Sequence, residues 1–271
     1  MANDALIADY LDLMKKALSA TIYDQSRWRP LLSGRSSLRS TVLSKLSKRG
    51  YVICKTRGFT REEVFDGQIW TNLGFTMVGM HRLNNVQFCV EDVLRRGIAG
   101  DLVETGVWKG GVTIFMRAIL KAHGDTDRIV WAADSFEGLP VPKGKQDGDD
   151  LSNVQELKVS LEQVKDHFER FSMLDDRVRF LKGWFADTLP DAPIKQIAVL
   201  RLDGDMYSST MDALQNLYHK VTPGGYVIAD DYYSWDSCKR AVHDFLDARG
   251  EQVDIRKIDW TGAFWQVPAK A

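Results

Sequence analysis

Cysteine is scarce in this chain. Cys54, Cys89 and Cys238 are odd in number and too far apart for a C-x-x-C pair. Such a set implies no disulfide framework and is what reduced thiols in a cytoplasm look like. Net charge is lacking too. The 36 Lys and Arg against 37 Asp and Glu leave −1 at neutral pH, so the molecule as a whole is no electrostatic nucleic-acid binder. No run of about 18 apolar residues occurs, so no membrane span is expected. The N-terminus, MANDALIADYLDLMKKAL, opens acidic and amphipathic where an export signal would be basic and then apolar. A G-x-G-x-x-G fingerprint is missing after the first strand of the α/β pattern, which makes a dinucleotide pyrophosphate a poor match and counts against a nicotinamide dehydrogenase.

What is present suits an ordinary folded domain. At 44% hydrophobic and 27% charged, 271 residues can bury a sizeable core, as one large α/β domain with at most a small appendage. Residues 4–20 place apolar side chains at helical spacing. From Arg27 to Arg61 there are ten Lys or Arg residues and no acid. That run reads either as a solvated surface or as a contact for an anionic acceptor. Residues 75–97 read as a longer helix stopped by Gly97.

From there short apolar strands alternate with amphipathic helices. GDLVETGVW, RIVWAADSF, VRFLKGWF, IAVLRLD and YVIADD are the strands. The helices between them include VTIFMRAILKAHG, SLEQVKDHFERFSML and STMDALQNLYHKV. This grammar predicts a mostly parallel sheet covered on both faces. VDIRKID, Trp260-Thr261-Gly262 and AFWQV read as a closing hairpin with an antiparallel last strand.

Two places carry candidate chemistry. After the first of these strands, Glu104-Thr105-Gly106-Val107-Trp108-Lys109-Gly110-Gly111 is a glycine-bearing turn opening a helix, which lets backbone approach a ligand. Asp134 ends the next strand, where an acid can accept from both ribose hydroxyls of a nucleoside. Trp184 and Phe185 follow the third strand as a wall for a purine ring or as core. Farther on, Asp203 and Asp205 end one strand and Asp230 and Asp231 the next. If those strands are neighbours, three or four carboxylates converge and repel one another unless a cation neutralises them. Oxygen donors without His or Cys favour Mg²⁺, with Ca²⁺ or Mn²⁺ possible. The competing reading makes Asp205 and one of Asp230 and Asp231 helix caps. His81 is a weaker candidate for touching substrate.

The stretches ETGVWKGG, ADSFEGLP, VRFLKGWFADTLP, LRLDGDMYSSTMDAL and PGGYVIADDY, with TMVGMHRLNN upstream, resemble the macrocin/mycinamicin O-methyltransferase family, which includes aminocoumarin sugar O-methyltransferases. The resemblance runs from about Phe75 to the C-terminus. It implies a class I (Rossmann-like) methyltransferase fold over residues 75–271, a seven-stranded, mostly parallel sheet with an antiparallel last strand. Residues 1–74 would form a helical lid and acceptor-binding segment. It implies S-adenosylmethionine as donor, contacted by Glu104, Thr105, Gly106, Val107, Trp108, Asp134, Ser135, Gly183 and Trp184. Mg²⁺ would fall on Asp203, Asp230 and Asp231, with Asp203 also the general base. The implied acceptor is a hydroxyl of a deoxysugar on a natural product, and the implied assembly a homo-oligomer. Methylation of a cell-surface glycan, methylation of a catechol-type phenol, and a non-catalytic module that only binds the donor are the other readings.

Overall fold

A computed structural model of the chain describes residues 2–23, 26–30, 42, 45–46, 49–51, 54–58, 60–69 and 73–268. Most of the basic run between Arg27 and Arg61 lies outside the described residues, and with it the choice between a solvated surface and an anionic-acceptor contact. Within that run, strands β1 (Ser26–Pro30) and β2 (Cys54–Gly58) pair antiparallel as a separate two-stranded ribbon.

The main sheet has seven strands: β3 (Asp101–Thr105), β4 (Val130–Asp134), β5 (Val178–Lys182), β6 (Ile197–Leu202), β7 (Val221–Ala229), β8 (Arg256–Lys257) and β9 (Ala263–Gln266). Their spatial order is β5-β4-β3-β6-β7-β9-β8. All pairs from β5 to β7 are parallel, while β9 runs antiparallel to both β7 and β8, as the closing hairpin predicts. The chain steps outward from β3 to β5 and then returns to lay β6 on the other side of β3. That reversal is a topological switch point, and a crevice opens at the carboxyl ends of β3 and β6.

Strand alternation divides the core in two. Leu102, Val130, Ala132, Val199 and Ile228 face one layer, and Val103, Trp131, Ala133, Leu200 and Val227 the other. The first layer is closed by α1 (Ala2–Leu18), α3 (Met80–Arg95), α4 (Gly111–Ala122) and α5 (Leu161–Arg170). The second is closed by α7 (Tyr207–Leu217) and α8 (Asp236–Arg249). Two shorter helices, α2 (Arg61–Phe65) and α6 (Phe185–Thr188), sit at the loops. From the expected N-terminal lid, α1 places Leu11, Met14 and Leu18 in the first layer.

The helix expected over 75–97 begins only at Met80. Phe75 donates its amide to the Leu18 carbonyl and accepts at its own carbonyl from Gly111, so residues 75–79 are drawn out as a connector. Two charged residues, Glu104 of β3 and Arg201 of β6, break the alternation of apolar side chains. Arg201 of β6 is about 1% exposed, a charged side chain inside the sheet.

Candidate active site

The turn after β3 is built on positive backbone angles. Gly106 has φ 87°, Trp108 φ 49° and Gly110 φ 88° before α4 begins at Gly111. Gly106 has no room for a side chain, since a Cβ there would lie 1.6 Å from the Asp203 carbonyl oxygen. The close approach arises because the Asp203 amide donates to the Thr105 carbonyl, carrying the β3–β6 ladder past the strand ends.

Asp134 holds this turn in place. Its Oδ2 accepts from the amides of Val107 (2.6 Å) and Trp108 (3.2 Å), and its Oδ1 from Phe136 (2.7 Å). Burial raises the pKa of this carboxyl, although those three amides pull it down. Asp134 thus spends most of its acceptor capacity on the turn, where the sequence suggested it would face ribose hydroxyls.

Beside the turn lies a cavity of about 460 Å³ whose lining includes Gly106, Asp134, Ser135, Trp184, Phe185 and Asp203. Trp184 is 37% exposed, so it stands as a wall of this cavity and not as core. The other residues expected to contact the donor are not among those lining this cavity. Glu104 is buried against Arg201, and the Thr105 hydroxyl donates to the Arg201 carbonyl. Val107 is core, the Trp108 indole donates to the Glu156 carbonyl, and the Gly183 amide donates to the Asp134 carbonyl.

At the end of the neighbouring strands the acids do converge. Carboxylate oxygens of Asp203, Asp205 and Asp231 lie within 4.8 Å of one another. Asp205 reaches the group through a left-handed backbone, φ 55°, and Trp235 hydrogen-bonds its carboxyl. Among the described residues it caps no helix: the N-cap of α7 is Met206, and the amide of Ser208 donates to Asp147, 2.7 Å away. Asp230 turns the other way. Its Oδ1 accepts from Arg201 Nη2 (2.5 Å) and its Oδ2 from Arg82 Nη1. The expected trio of Asp203, Asp230 and Asp231 is therefore not the trio brought together here; Asp205 occupies the third place, because two arginines hold both oxygens of Asp230.

Those arginines and their further partner Asp259 escaped the sequence reading. Arg82 comes from α3 and also donates from Nε to Asp259 (3.0 Å). Arg201 Nη1 donates to Glu104 (2.5 Å) and to Asp203 (2.7 Å). The available signal was a lone arginine inside the apolar run IAVLRL, since a charge in a strand covered on both faces must be paired.

The electrostatics follow from six acids meeting two guanidinium groups. Burial first, then mutual repulsion among Asp203, Asp205, Asp230 and Asp231, pushes Asp231 well above the carboxylate range and Asp205 up to about 7. Burial also raises Asp203, against the pull of Arg201. Asp230 is more deeply buried than Asp203, yet Arg201 and Arg82 outweigh desolvation and hold it low. Oδ2 of Asp231 is buried without a hydrogen-bond partner among the described residues. An acceptor left bare beside two more carboxylates suits a hard cation.

The strand order, the switch-point turn and the cavity beside it define a class I methyltransferase fold. More narrowly, the chain belongs to the macrocin O-methyltransferase (TylF) family, whose profile matches residues 7–267, and it is an O-methyltransferase. It is 48% identical over 263 residues to 8-demethyl-8-(2,3-dimethoxy-alpha-L-rhamnosyl)-tetracenomycin-C 4'-O-methyltransferase of Streptomyces olivaceus, covering 95% of this chain and 92% of that one. It is 44% identical, with the same coverage, to demethyldecarbamoylnovobiocin O-methyltransferase of Streptomyces niveus. Among solved structures it is similar to the O-methyltransferase NovP, with TM-score 0.84 and 41% identity over 97% of this chain and all of that one. No described helix is long and apolar enough to cross a membrane.

Proposed function

We propose that this enzyme transfers the methyl group of S-adenosylmethionine to a sugar hydroxyl of a glycosylated natural product, with Mg²⁺ held in the carboxylate cluster. The observation that carries the proposal is the position of Asp203, which belongs to the three-acid cluster and also lines the cavity beside the glycine turn. The choice of a sugar is supported by the rhamnosyl acceptor in the name of the Streptomyces olivaceus relative.

In this reading the cavity takes the donor, with Trp184 and Phe185 as apolar walls and Gly106 leaving backbone open to it. Asp134 acts through the turn, keeping the amides of Val107 and Trp108 in register. Asp203 and Asp231 are cation ligands, and Asp205 completes the set. Asp230, the third ligand implied by the resemblance, has both oxygens held by Arg82 and Arg201 and would support the set from behind. A divalent cation at this position lowers the pKa of a hydroxyl placed against it. Asp203 is the proton acceptor, being the cluster member on the cavity side. Orientation of the two substrates by the rigid strand ends supplies much of the rate.

The test is a methyl-transfer assay with S-adenosylmethionine on demethylated glycosides, free deoxysugars and catechols, in Mg²⁺ and in excess chelator. Turnover of a glycoside that chelator abolishes and Mg²⁺ restores is the expected outcome. Full activity in chelator contradicts the cation, and turnover of catechols alone contradicts the sugar.

A further inference from the structure

We infer that Arg201 is a positioning residue for the cation site, setting the acids of three strand ends against one another through a single guanidinium group. The inference rests on the cation reading above. The side chain is about 1% exposed and touches one carboxylate from each of three neighbouring strand ends. These are Glu104 at 2.5 Å, Asp203 at 2.7 Å and Asp230 at 2.5 Å. It does not line the donor cavity.

Charge compensation alone does not require this arrangement. A buried cation offsets nearby acids wherever it sits, whereas a planar fork with five donors fixes where each acceptor lies. Nη1 serves Glu104 and Asp203 together while Nη2 takes Asp230. Glu104 is in turn held by the Thr113 hydroxyl of α4, so the far end of the array is anchored in the helix that follows the donor turn. Asp203 is thereby fixed at one oxygen, and Asp230 is drawn out of the group formed by Asp203, Asp205 and Asp231. The groups behind metal ligands commonly set affinity in this way, with losses of about 10–100-fold on their removal.

Positioning and charge compensation call for different results from Arg201→Lys, which keeps the charge and loses the fork. The experiment measures Mn²⁺ uptake by electron paramagnetic resonance, donor binding by calorimetry, and the thermal melt by circular dichroism. For a positioning role, Mn²⁺ affinity falls at least about tenfold, the melt stays cooperative, and donor affinity changes by less than about threefold, as the side chain lies outside the donor cavity. Mn²⁺ affinity equal to wild type overturns the inference. Should Arg201→Lys fail to fold, the double variant Arg201→Gln with Glu104→Gln, compared with wild type at pH 8.5 where Glu104 is ionised, removes one charge of each sign and leaves the net charge of the network unchanged. Weakened Mn²⁺ binding there supports positioning, and retained binding overturns it. A wild-type protein that takes up no Mn²⁺ sinks the cation reading itself, an outcome separate from a variant that matches wild type.

Discussion

The carboxyl groups of Asp205 and Asp231 lie within hydrogen-bonding reach of each other, although they come from the ends of different strands. Two acids that close, Asp231 buried and Asp205 half-buried, hold a proton between them unless a cation takes its place. Asp205 is pushed up to about 7 by burial first and by Asp203 next, while the hydrogen bond with Asp231 pulls the other way and leaves the shared proton on Asp231. Below that pH the proton competes with a divalent ion, and above it the competition fades. Mg²⁺ affinity is therefore expected to rise with pH, most steeply up to about 7, where Asp205 loses its proton. Titrations in two buffers of different ionisation heat should show more proton release near pH 6.5 than at pH 8.5. In Asp205→Asn the dependence should flatten; an unchanged pH profile there contradicts the shared-proton assignment.

Asp203 stands between the two halves of the site. Replacing it by asparagine keeps the side-chain shape and one oxygen but removes the base. Activity of Asp203→Asn should fall by roughly 10²–10⁴-fold, the usual span for loss of a proton-transfer group. Binding of S-adenosylmethionine, followed by calorimetry, should stay within about threefold of wild type, because most of the cavity lining is untouched. Near-normal turnover would remove Asp203 from the role of base.

Glu104 provides a stability test that needs no substrate. Burial pushes its carboxyl from 4.5 up to about 7, outweighing the pull of Arg201 and Thr113. An acid with a raised folded pKa keeps its proton in the folded chain after the unfolded chain has lost it. Stability from this group is therefore lost as pH rises from about 4.5 to 7 and is constant above. Glu104→Gln cannot lose that proton. In cation-free buffer its melting temperature should gain on wild type across the same window and run parallel at higher pH. A difference that does not vary with pH contradicts this origin.

Gly106→Ala probes the switch point. The added carbon would meet the Asp203 carbonyl at 1.6 Å on a backbone with φ 87°. Either β3 and β6 must part or the turn must rebuild, and a cost of roughly 3 kcal/mol is expected in a denaturant melt. Donor binding should be lost with it, measured calorimetrically at a temperature where the variant remains folded. An alanine that leaves both unchanged would show that the close approach is not required.

Much of the fold was legible because its signals are local. Alternating strands and helices from Leu102 to Ala229, the acids at strand ends and the hairpin around Trp260-Thr261-Gly262 need no knowledge of partners. The division of labour among the acids was not legible. Whether Asp230 or Asp205 joins Asp203 and Asp231 depends on Arg82, which lies 148 residues earlier in the chain and meets Asp230 only after α3 packs on the sheet. Asp134 likewise sits where a ribose ligand belongs in sequence, and its partners at Val107, Trp108 and Phe136 appear only once the turn has folded back. Strand-end position identifies which residues reach the crevice, and pairing in three dimensions decides what each one does there.

The most direct measurement is a calorimetric titration of Mg²⁺ into wild type and Asp231→Asn, both saturated with S-adenosylmethionine. Oδ2 of Asp231 is the buried acceptor left without a partner, so its loss should remove the ion while the donor stays bound. One equivalent of Mg²⁺ per chain in wild type and none in the variant is the expected result. No uptake by wild type, or equal uptake by both, would contradict a cation held by these carboxylates.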